Sequence, residues 1–502
     1  MPKLPPDAPT SSALPKRGTE MSDYEALRRR HLSDAMALAP RLLERLDWPG
    51  ERLAAHRVQR LRELVGYAAD RSPWHRERLA TVDLDRLDVE SLRELPPMTK
   101  ADLMEHFDRI VTDERLSLEL VNSHLKTVDS GSYLLDHYTA LTSGGSSGER
   151  GVFVYGWEAW ATFWVSVFRY TLRAKQSDPE LAVRPVVLAW VMAAHFSHAT
   201  AALGRTFAGP DFINVRFPVT LPTDEIVSGL NRTQPDCLFA YPSALHILTF
   251  EARAGRLRIS PSRVQSAAEP LLPEIRAAAE EVWGVRVGNL WGTSEGGGTA
   301  APCDHRRSHV SEDLVIVEPV DEAGQPVAPG ERSAKVYLTN LYNRTLPLIR
   351  YEITDEVTIL SEPCPCGSAH SCVSDIQGRL DDTFLYDGRR IHPHVFRSAL
   401  GRRAAIVEYQ VRQTQSGARI AVRCQARVDL EALAQELEDG LNRLGIEQPE
   451  VTIETVDQLE RDGGPAKLKR FVPLPSGACR DDERSPMAFT QAPALHEQPA
   501  FV

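Results

Sequence analysis

The chain alternates short strands rich in Val, Ile and Leu with stretches of helical periodicity, and this alternation limits the folds open to it. Runs at 184–191 (RPVVLAWV) and 236–241 (DCLFAY) have the composition of buried strands. Apolar side chains recur at helical spacing over 275–283, and a strand-like run follows at 285–290. Upstream, the leucines from Leu42 to Leu53 predict an opening amphipathic helical stretch. Alternating strands and helices predict an α/β fold.

Beyond residue 381 the order of elements changes, which predicts a second, smaller domain. Strand-like runs at 405–411 and 418–424 precede a helical stretch at 430–444 and a strand at 450–454. This order favours a small sheet covered by helices. We therefore expect four parts: a disordered N-terminal segment at 1–20, a large domain at 21–380, a small domain at 381–472 and a disordered tail at 473–502.

Composition fits a large enzyme that is not expected to bind nucleic acid or a membrane. The 502 residues are 42% hydrophobic and 25% charged, enough for more than one domain core. A net charge of −11 gives no general attraction to nucleic acid or to an anionic membrane. The sequence shows neither an apolar run of transmembrane length nor the apolar region of a signal peptide. The expectation is a cytoplasmic monomer or homodimer.

A segment rich in glycine and hydroxyl residues, LTSGGSSGERG at 141–151, is a candidate phosphate-binding loop. Glycines let the backbone approach a polyanion, and amides and hydroxyls can bind phosphate oxygens. It is not a Walker A loop, because Glu149 and Arg150 follow its last clustered glycine. An ordinary connection between two strands is the alternative. The nucleotide-binding residues predicted here are Thr142, Ser143, Gly144, Gly145, Ser146, Ser147 and Gly148.

Three further polar residues fit the tasks that a bound ATP sets. Glu295, in LWGTSEGG, follows an apolar run, and its carboxylate is a hard oxygen ligand suited to Mg²⁺. Asp355, in IRYEITD, can accept hydrogen bonds from two ribose hydroxyls. Lys467 lies in the glycine-containing segment GGPAKLKR. Any one of them alone would be more typical of a solvated surface charge.

In their order along the chain, these segments resemble the core motifs of the adenylate-forming superfamily, which contains acyl-CoA synthetases, non-ribosomal peptide synthetase adenylation domains and luciferases. The segments RLRELVGYA at 60–68, LPPMTKADL at 95–103 and SAAEPL at 266–271 are similar to the phenylacetate-CoA ligase and CapK-like branch. The similarity extends from about Arg60 to about Val472. It implies an α/β large N-terminal adenylate-forming domain with mixed sheets and helices, and a small mobile α+β C-terminal domain.

The resemblance also implies roles for individual residues. Glu295 would bind Mg²⁺, Arg379 would help to hold the nucleotide, and Lys467 would contact the substrate carboxylate and the α-phosphate. Lys469 is the alternative catalytic lysine, but Lys467 keeps the usual Lys-x-x-Arg spacing. Asp381 would lie at the hinge between the domains. The other implied nucleotide contacts are Glu269, Trp291, Gly292, Thr293, Ser294 and Asp355, and the implied substrate pocket contains His195, His198, Tyr241, Ala267 and Ala268.

The implied activity is ATP-dependent activation of a carboxylic acid as an acyl-adenylate, followed by transfer to CoA. Aromatic and small residues in the pocket favour an aromatic acid. No Lys/Arg-rich cluster for the CoA 3′-phosphate is recognisable, so an amide synthetase of antibiotic biosynthesis, which passes the acyl group to an amine, is the alternative. A catalytically inactive nucleotide-binding homologue is disfavoured, because the residues matching the motifs are retained together.

Cysteine and histidine spacing predicts a structural zinc site. Cys303 and His309 form a Cys-x5-His pair, and Cys364 and Cys366 form a tight Cys-x-Cys turn. Three thiolates and one imidazole make a closed tetrahedral Zn²⁺ site, and the resemblance to the CapK-like branch supports it. Surface loops with incidental thiols are the alternative, and a named ligand could be replaced by His305, His370 or Cys372.

Overall fold

A computed structural model describes most of the chain, and its described residues form two compact units. They are residues 18–128, 132–143, 151–192, 196–219, 221–305, 307–374, 376, 384–387, 389–391, 394–401, 403, 405–459 and 469–474. The first unit contains the described residues up to 376 and Lys469, and the second contains 384–459 and 470–474. In this part of the chain, every helix is too short or too polar to cross a bilayer.

The helices and strands are numbered along the chain. The α-helices are α1 (Gly18–Glu44), α2 (Gly50–Arg71), α3 (Pro73–Arg78), α4 (Lys100–Glu105), α5 (Phe107–Ile110), α6 (Leu118–Thr127), α7 (Trp157–Ser177), α8 (Pro179–Ala182), α9 (Ala199–Thr206), α10 (Thr223–Thr233), α11 (Pro242–Arg253), α12 (Pro273–Trp283), α13 (His394–Gly401) and α14 (Leu430–Arg443), with short 3₁₀ turns at Arg45–Asp47 and Ser91–Glu94. The strands are β1 (Thr139–Thr142), β2 (Val152–Tyr155), β3 (Val186–Met192), β4 (Phe212–Pro218), β5 (Cys237–Ala240), β6 (Arg263–Ala267), β7 (Val287–Thr293), β8 (Gly297–Pro302), β9 (Ser308–Val310), β10 (Val315–Val320), β11 (Lys335–Asn340), β12 (Tyr351–Ile353), β13 (Cys372–Val373), β14 (Phe384–Tyr386), β15 (Arg389–Ile391), β16 (Ile406–Gln413), β17 (Gly417–Cys424), β18 (Glu450–Thr455) and β19 (Phe471–Val472).

An eight-stranded mixed sheet organises the first unit, in the order β13-β9-β8-β7-β6-β5-β3-β4. From β4 to β7 all neighbours are parallel, and from β7 to β13 all are antiparallel. Strands β3 and β5 are almost wholly buried, as expected where helices cover both faces of parallel strands. The hairpin β1-β2 and the antiparallel sheet β10-β11-β12 complete the unit. The predicted α/β class with mixed sheets is confirmed.

Helix α7 supplies much of the aromatic core beside this sheet. Its side chains Trp160, Trp164 and Phe168 follow one another at intervals of four residues and are buried. The ring of Trp164 stacks on Phe207 with centroids 4.9 Å apart. Such pairs stabilise a fold beyond the area that they bury, so this pair fixes α7 against the end of α9. The ring of Phe168 contacts Trp190 of β3 with centroids 5.6 Å apart, which fixes α7 against the sheet.

The opening helical stretch is divided into two helices. Leu42, Leu46 and Leu53 are buried, as their spacing predicts. However, α1 ends at Glu44 and α2 begins only at Gly50, so one helix does not carry all three leucines. Trp48 is extended, with ψ 139°, because the ring of Pro49 disfavours the helical conformation at the residue before it. The dipeptide Trp48-Pro49 is therefore the signal for the break.

The second unit has its own sheet and core. Its sheet has the order β18-β17-β16-β19, and β14 pairs with β15 in a separate hairpin. Helix α14 buries Leu433, Leu437 and Leu441, which share one helix face, among the apolar side chains of the sheet. The strands and helix predicted beyond residue 381 are present, with ends shifted by one or two residues.

Candidate active site

A cavity of about 270 Å³ lies in the first unit, where the parallel strands β3, β5, β6 and β7 end. Ligands of open α/β sheets bind at the carboxyl ends of the strands, because the loops that follow them converge there. The cavity brings together many of the predicted site residues: Thr142, Ser143, His198, Tyr241, Ala267, Ala268, Gly292, Thr293, Ser294, Glu295 and Asp355.

The candidate phosphate loop connects β1 and β2, and its base borders the cavity. The Ser143 amide donates to the Gly151 carbonyl at 2.9 Å, and the Gly151 amide donates to Ser143 Oγ at 2.9 Å. The Thr142 amide donates to the carbonyl of Ser197, which precedes α9. These bonds fix both ends of the loop beside the cavity. Gly144, Gly145, Ser146, Ser147 and Gly148 lie outside the described residues.

Glu295 lies at the tip of the hairpin that joins β7 and β8. Tyr155 Oη donates to the Ser294 carbonyl at 2.6 Å, and Asn340 Nδ2 donates to the Glu295 carbonyl at 2.7 Å. Burial raises the pKa of Tyr155, and the nearby negative charge of Glu295 contributes to the rise. The hairpin backbone is thus anchored to buried polar groups, which orients the carboxylate at the cavity.

The glycines after Glu295 are required by close packing against α7. A Cβ at Gly298 would lie 2.5 Å from the backbone oxygen of Ser166, and the Gly298 amide donates to Ser166 Oγ at 2.8 Å. Gly297 has φ +71°, a conformation that favours glycine. This segment therefore fixes the position of Glu295 relative to α7.

Asp355 is a buried carboxylate held by an indole. Trp291 Nε1 donates to Asp355 Oδ2 at 2.8 Å, while Trp291 itself is buried. The bond orients the carboxylate at the cavity, and a carboxylate can accept several hydrogen bonds at once. Trp291, predicted to contact the nucleotide, is thus placed as a support for Asp355.

Lys100 lines the cavity but has no assigned role in the sequence prediction. It is the first residue of α4, which begins with a capping box between Thr99 and Asp102. The Met98 amide donates to the Arg350 carbonyl at 2.9 Å, which attaches this segment to the strand leading to Asp355. The motif LPPMTKADL, which contains Lys100, is the sequence feature that could have marked this residue as part of the site.

An apolar recess extends from the polar part of the cavity. The ring of Trp190 stacks on Phe239 with centroids 4.8 Å apart, and Trp190 Nε1 donates to Asn214 Oδ1. These core aromatics come from different elements, so no local sequence motif marks them. The recess is lined by Phe163, Val167, Trp190, Leu203, Phe239 and Leu290.

Two predicted nucleotide contacts, Trp291 and Glu269, are absent from the described lining of the cavity, and several other site residues lie outside the described residues. Glu269 is not among the lining residues that the structure describes. Its carboxylate accepts from the Ser243 amide at 2.9 Å and from Ser243 Oγ at 3.1 Å, because the first turn of α11 offers amides without helical partners. Besides the five loop residues from Gly144 to Gly148, the site residues outside the described part are His195, Arg379, Asp381 and Lys467.

The four predicted zinc ligands lie together. Their ligand atoms are all within 4.8 Å of one another, with Cys303 Sγ 3.7 Å from Cys364 Sγ and Cys366 Sγ 3.2 Å from His309 Nε2. A zinc tetrahedron with Zn–S bonds of about 2.3 Å has edges of about 3.8 Å. The spacing therefore fits a tetrahedral ion.

The chemistry of this cluster also fits Zn²⁺. His309 Nδ1 lies 3.0 Å from the His370 carbonyl, the partner that leaves Nε2 available to a metal. Burial alone would raise the pKa of Cys364, but hydrogen bonds to its sulfur have the larger combined effect and lower that pKa. The largest of these contributions comes from the Cys366 amide. By contrast, burial raises the pKa of Cys303 to about 12. A cation is needed to hold the full set of thiolates.

The alternative ligands are less suited. His305 is exposed. Both nitrogens of His370 face backbone carbonyls, those of Val310 and Arg45. Cys372 Sγ lies near the His309 ring, 3.8 Å from Nε2, but outside the group of four.

Comparisons with known proteins agree with this architecture. No family model matches the chain. The chain is 25% identical over 366 residues to phenylacetate-coenzyme A ligase of Thermus thermophilus, a match that covers 69% of this chain and 74% of that protein.

Solved structures give the same result for the fold. 2-Hydroxyisobutyryl-CoA ligase in the postadenylation state, in complex with R3-HIB-AMP, superposes with a TM-score of 0.65 and 18% identity, covering 86% of this chain and 91% of that one. The same ligase with 2-HIB-AMP and CoA in the thioesterification state gives 0.55 at the same identity and coverage. The chain is therefore similar in sequence to a phenylacetate-CoA ligase and shares the fold of 2-hydroxyisobutyryl-CoA ligase, in agreement with the resemblance of its sequence motifs.

Proposed function

We propose that this chain is an ATP-dependent, AMP-forming ligase that activates a carboxylic acid as an acyl-adenylate and transfers the acyl group to CoA. The observation that carries the proposal is one cavity that combines Glu295, Asp355 and the base of a glycine-rich loop with an apolar recess. Homology to a CoA ligase supports the same activity.

The arrangement suits attack of a carboxylate on the α-phosphate of ATP, which releases pyrophosphate. Negative charge accumulates on phosphoryl oxygens in the transition state, so catalysis depends on positioning and on cations. Glu295 would hold Mg²⁺, which neutralises phosphate charge. Asp355 accepts hydrogen bonds from the ribose, and the Thr142 and Ser143 hydroxyls border the phosphates.

The residues outside the described ranges complete the proposal. Gly144 to Gly148 supply backbone amides to the phosphates, and Arg379 helps to hold the nucleotide. Lys467 contacts the acid and the α-phosphate. Asp381 is the hinge of a small domain that we place at 381–472, and the enzyme acts in the cytoplasm.

The recess favours a flat, uncharged acyl group. Its described side walls are aromatic and aliphatic, and the stacked rings of Trp190 and Phe239 are buried. A second carboxylate or an ammonium group on the acid would lose its hydration there without compensation. We therefore propose an aromatic acid, with the carboxylate directed towards Lys100 in the polar part of the cavity.

Carboxylate-dependent exchange of labelled pyrophosphate into ATP tests this function. With Mg²⁺ present, benzoate- and phenylacetate-type acids should support exchange well above the rate given by palmitate or by dicarboxylic acids. Absence of exchange across a broad panel of aryl and alkyl acids would refute the enzyme proposal. Product analysis with CoA and with amines, offered separately, then identifies the acceptor, and an amide formed without CoA would refute transfer to the thiol.

Replacement of Lys467 should suppress adenylation. Lys467→Ala should lower the exchange rate by about 10²–10³, because it removes a cation from the developing phosphoryl charge. Lys469→Ala is the matched control and should cost much less. A greater loss in Lys469→Ala would move the assignment to that residue.

We also propose that Cys303, His309, Cys364 and Cys366 hold a structural Zn²⁺. Strand β8 begins at the hairpin that carries Glu295 and ends immediately before Cys303. The ion would fix the second end of this strand and the loop that carries Cys364 and Cys366. Zinc at a closed site has no exchangeable position, so it takes no part in the chemistry.

Substitution of one cluster cysteine should remove the zinc. The wild-type protein and Cys424→Ser, whose thiol lies in the second unit, should contain close to one zinc per chain by elemental analysis. Cys366→Ser should contain much less and unfold at lower temperature, while the Mg²⁺ requirement of exchange is unchanged. A zinc-free wild-type protein, never exposed to chelator, would disprove the site.

A further inference from the structure

Helix α9 separates the active-site cavity from a second cavity that adenylation does not use. The second cavity has a volume of about 30 Å³. Residues three or four apart share a helix face, so α9 presents a different face to each cavity. The active-site cavity is lined by Ala199, Thr200 and Leu203, and the second by Ala202, Arg205 and Thr206.

Two arginines meet at Phe196, which lines the second cavity. The guanidinium carbon of Arg205 lies 4.5 Å from the centroid of the Phe196 ring. Arg216, on the edge strand β4, lies 4.6 Å from the same centroid. Arg205 also lies 5.1 Å from the ring of Tyr24. Aromatic packing thus holds two guanidinium groups at one ring, close enough for the charge of Arg205 to act on Arg216.

This cation pair has no carboxylate partner. In the described ranges of the chain, neither Arg205 nor Arg216 forms an ion pair, whereas neighbouring arginines do: Arg184 pairs with Asp236 and Arg28 with Glu25. Partial desolvation of the guanidinium lowers the pKa of Arg216, although the residue is exposed, and the charge of Arg205 lowers it further. Two like charges held together repel each other, and a bound anion would remove that repulsion.

The chemistry of the pair favours a phosphate. Guanidinium groups bind phosphate through paired N–H donors, and an adjacent aromatic ring fixes the guanidinium planes. ATP phosphates are already served by the glycine-rich loop and Glu295 in the proposed function. CoA carries its phosphates at the far end of the pantetheine arm from the thiol, so their site lies outside the cavity where the acid is activated.

We infer that Arg205 and Arg216, packed on Phe196, bind a phosphate group of CoA. The inference rests on the proposed transfer to CoA. It also explains why sequence inspection finds no cationic cluster for this acceptor: Arg205 ends α9 and Arg216 lies in the following strand, and only the fold brings them to one ring.

Calorimetric titration of the full chain with CoA tests the site. Arg216→Gln and Arg205→Gln should each raise the dissociation constant of CoA on the order of tenfold, the effect of losing a charged hydrogen bond. Arg232→Gln is the matched control, because Arg232 is an exposed arginine on α10 that bonds to Ser228. This variant should bind CoA with wild-type affinity. Pantetheine, which lacks phosphate, should bind the wild type and both variants equally.

The outcomes separate this site from the proposed function. Arg216 is exposed, so Arg216→Gln should fold normally, and Arg205→Lys should recover part of the CoA affinity. Wild-type affinity for CoA in Arg216→Gln, or an equal loss of affinity for ATP, would overturn the inference. Because pyrophosphate exchange contains no CoA, its absence from the wild type would instead refute the adenylation proposal.

Discussion

Glu295→Gln should lower the rate of pyrophosphate exchange by about 10²–10³ while the protein remains folded. Gln keeps the size of the side chain but removes the negative charge that would hold Mg²⁺ at the phosphates. The hairpin should persist, because Tyr155 and Asn340 bind its backbone carbonyls rather than the carboxylate. Exchange rates at saturating Mg²⁺ and thermal unfolding curves measure the two effects separately.

Glu269→Gln is the matched control for this variant. The structure places Glu269 at the first turn of α11, where it accepts from Ser243, and Gln retains an acceptor oxygen for that contact. Its exchange rate should stay within about threefold of wild type, well below the effect of removing an electrostatic contact to the transition state. An equal loss in both variants would support the predicted nucleotide role of Glu269 and contradict a special role of Glu295.

The fold class could be predicted from the sequence because the hydrophobic pattern of the central strands matches their burial in the sheet. The runs at 184–191 and 236–241 become β3 and β5, which are buried on both faces and so carry continuous apolar sequences. The motif residues Glu295 and Asp355 were also identifiable, because each follows a strand and lines the cavity. Local pattern and global fold agree at these positions.

The remaining parts of the site depend on long-range packing. Trp190 and Phe239 belong to different strands, and their sequences are typical of any buried strand. The zinc ligands show local pairs, but only the antiparallel pairing of β9 with β13 brings the two segments together. Arg205 and Arg216 were missed for the same reason. A single sequence records spacing along the chain and does not record which strand ends are neighbours.

Removal of Asp313 should cause the largest loss of stability outside the active site. Asp313 and Arg169 have fully buried side chains, and Arg169 Nη1 lies 2.8 Å from Asp313 Oδ1. Burial alone would raise the pKa of Asp313, but the charge of Arg169 and weaker contributions from His370 and Arg45 leave it lowered. Asp313→Ala should therefore lower the free energy of unfolding by about 3–5 kcal/mol, because it leaves Arg169 buried without its partner.

The direction of the pKa shift of Asp313 determines how its contribution to the free energy of unfolding changes with pH. A carboxyl whose folded pKa lies below its unfolded value stabilises the fold above about pH 4, and the contribution is lost as the pH falls through the folded pKa. The difference between wild type and Asp313→Ala should therefore narrow in acid. Urea unfolding followed by tryptophan fluorescence measures it in the first unit, since all eight tryptophans lie there.

A double-mutant cycle separates the charge from the packing. Arg169→Met and Asp313→Leu should each be strongly destabilising, but the two combined should cost clearly less than the sum of the two single changes, since no charge is then buried alone. The exposed pair Arg253–Glu281, between α11 and α12, is the control, and Arg253→Met should cost at most about 1 kcal/mol. Additive losses in the buried cycle would contradict the role of the ion pair. Arg169 lies on α7, the helix whose residues Phe163 and Val167 line the cavity, and Asp313 follows β9. A favourable coupling energy between Arg169 and Asp313 would therefore also show that the ion pair attaches the wall of the acyl recess to the segment after β9.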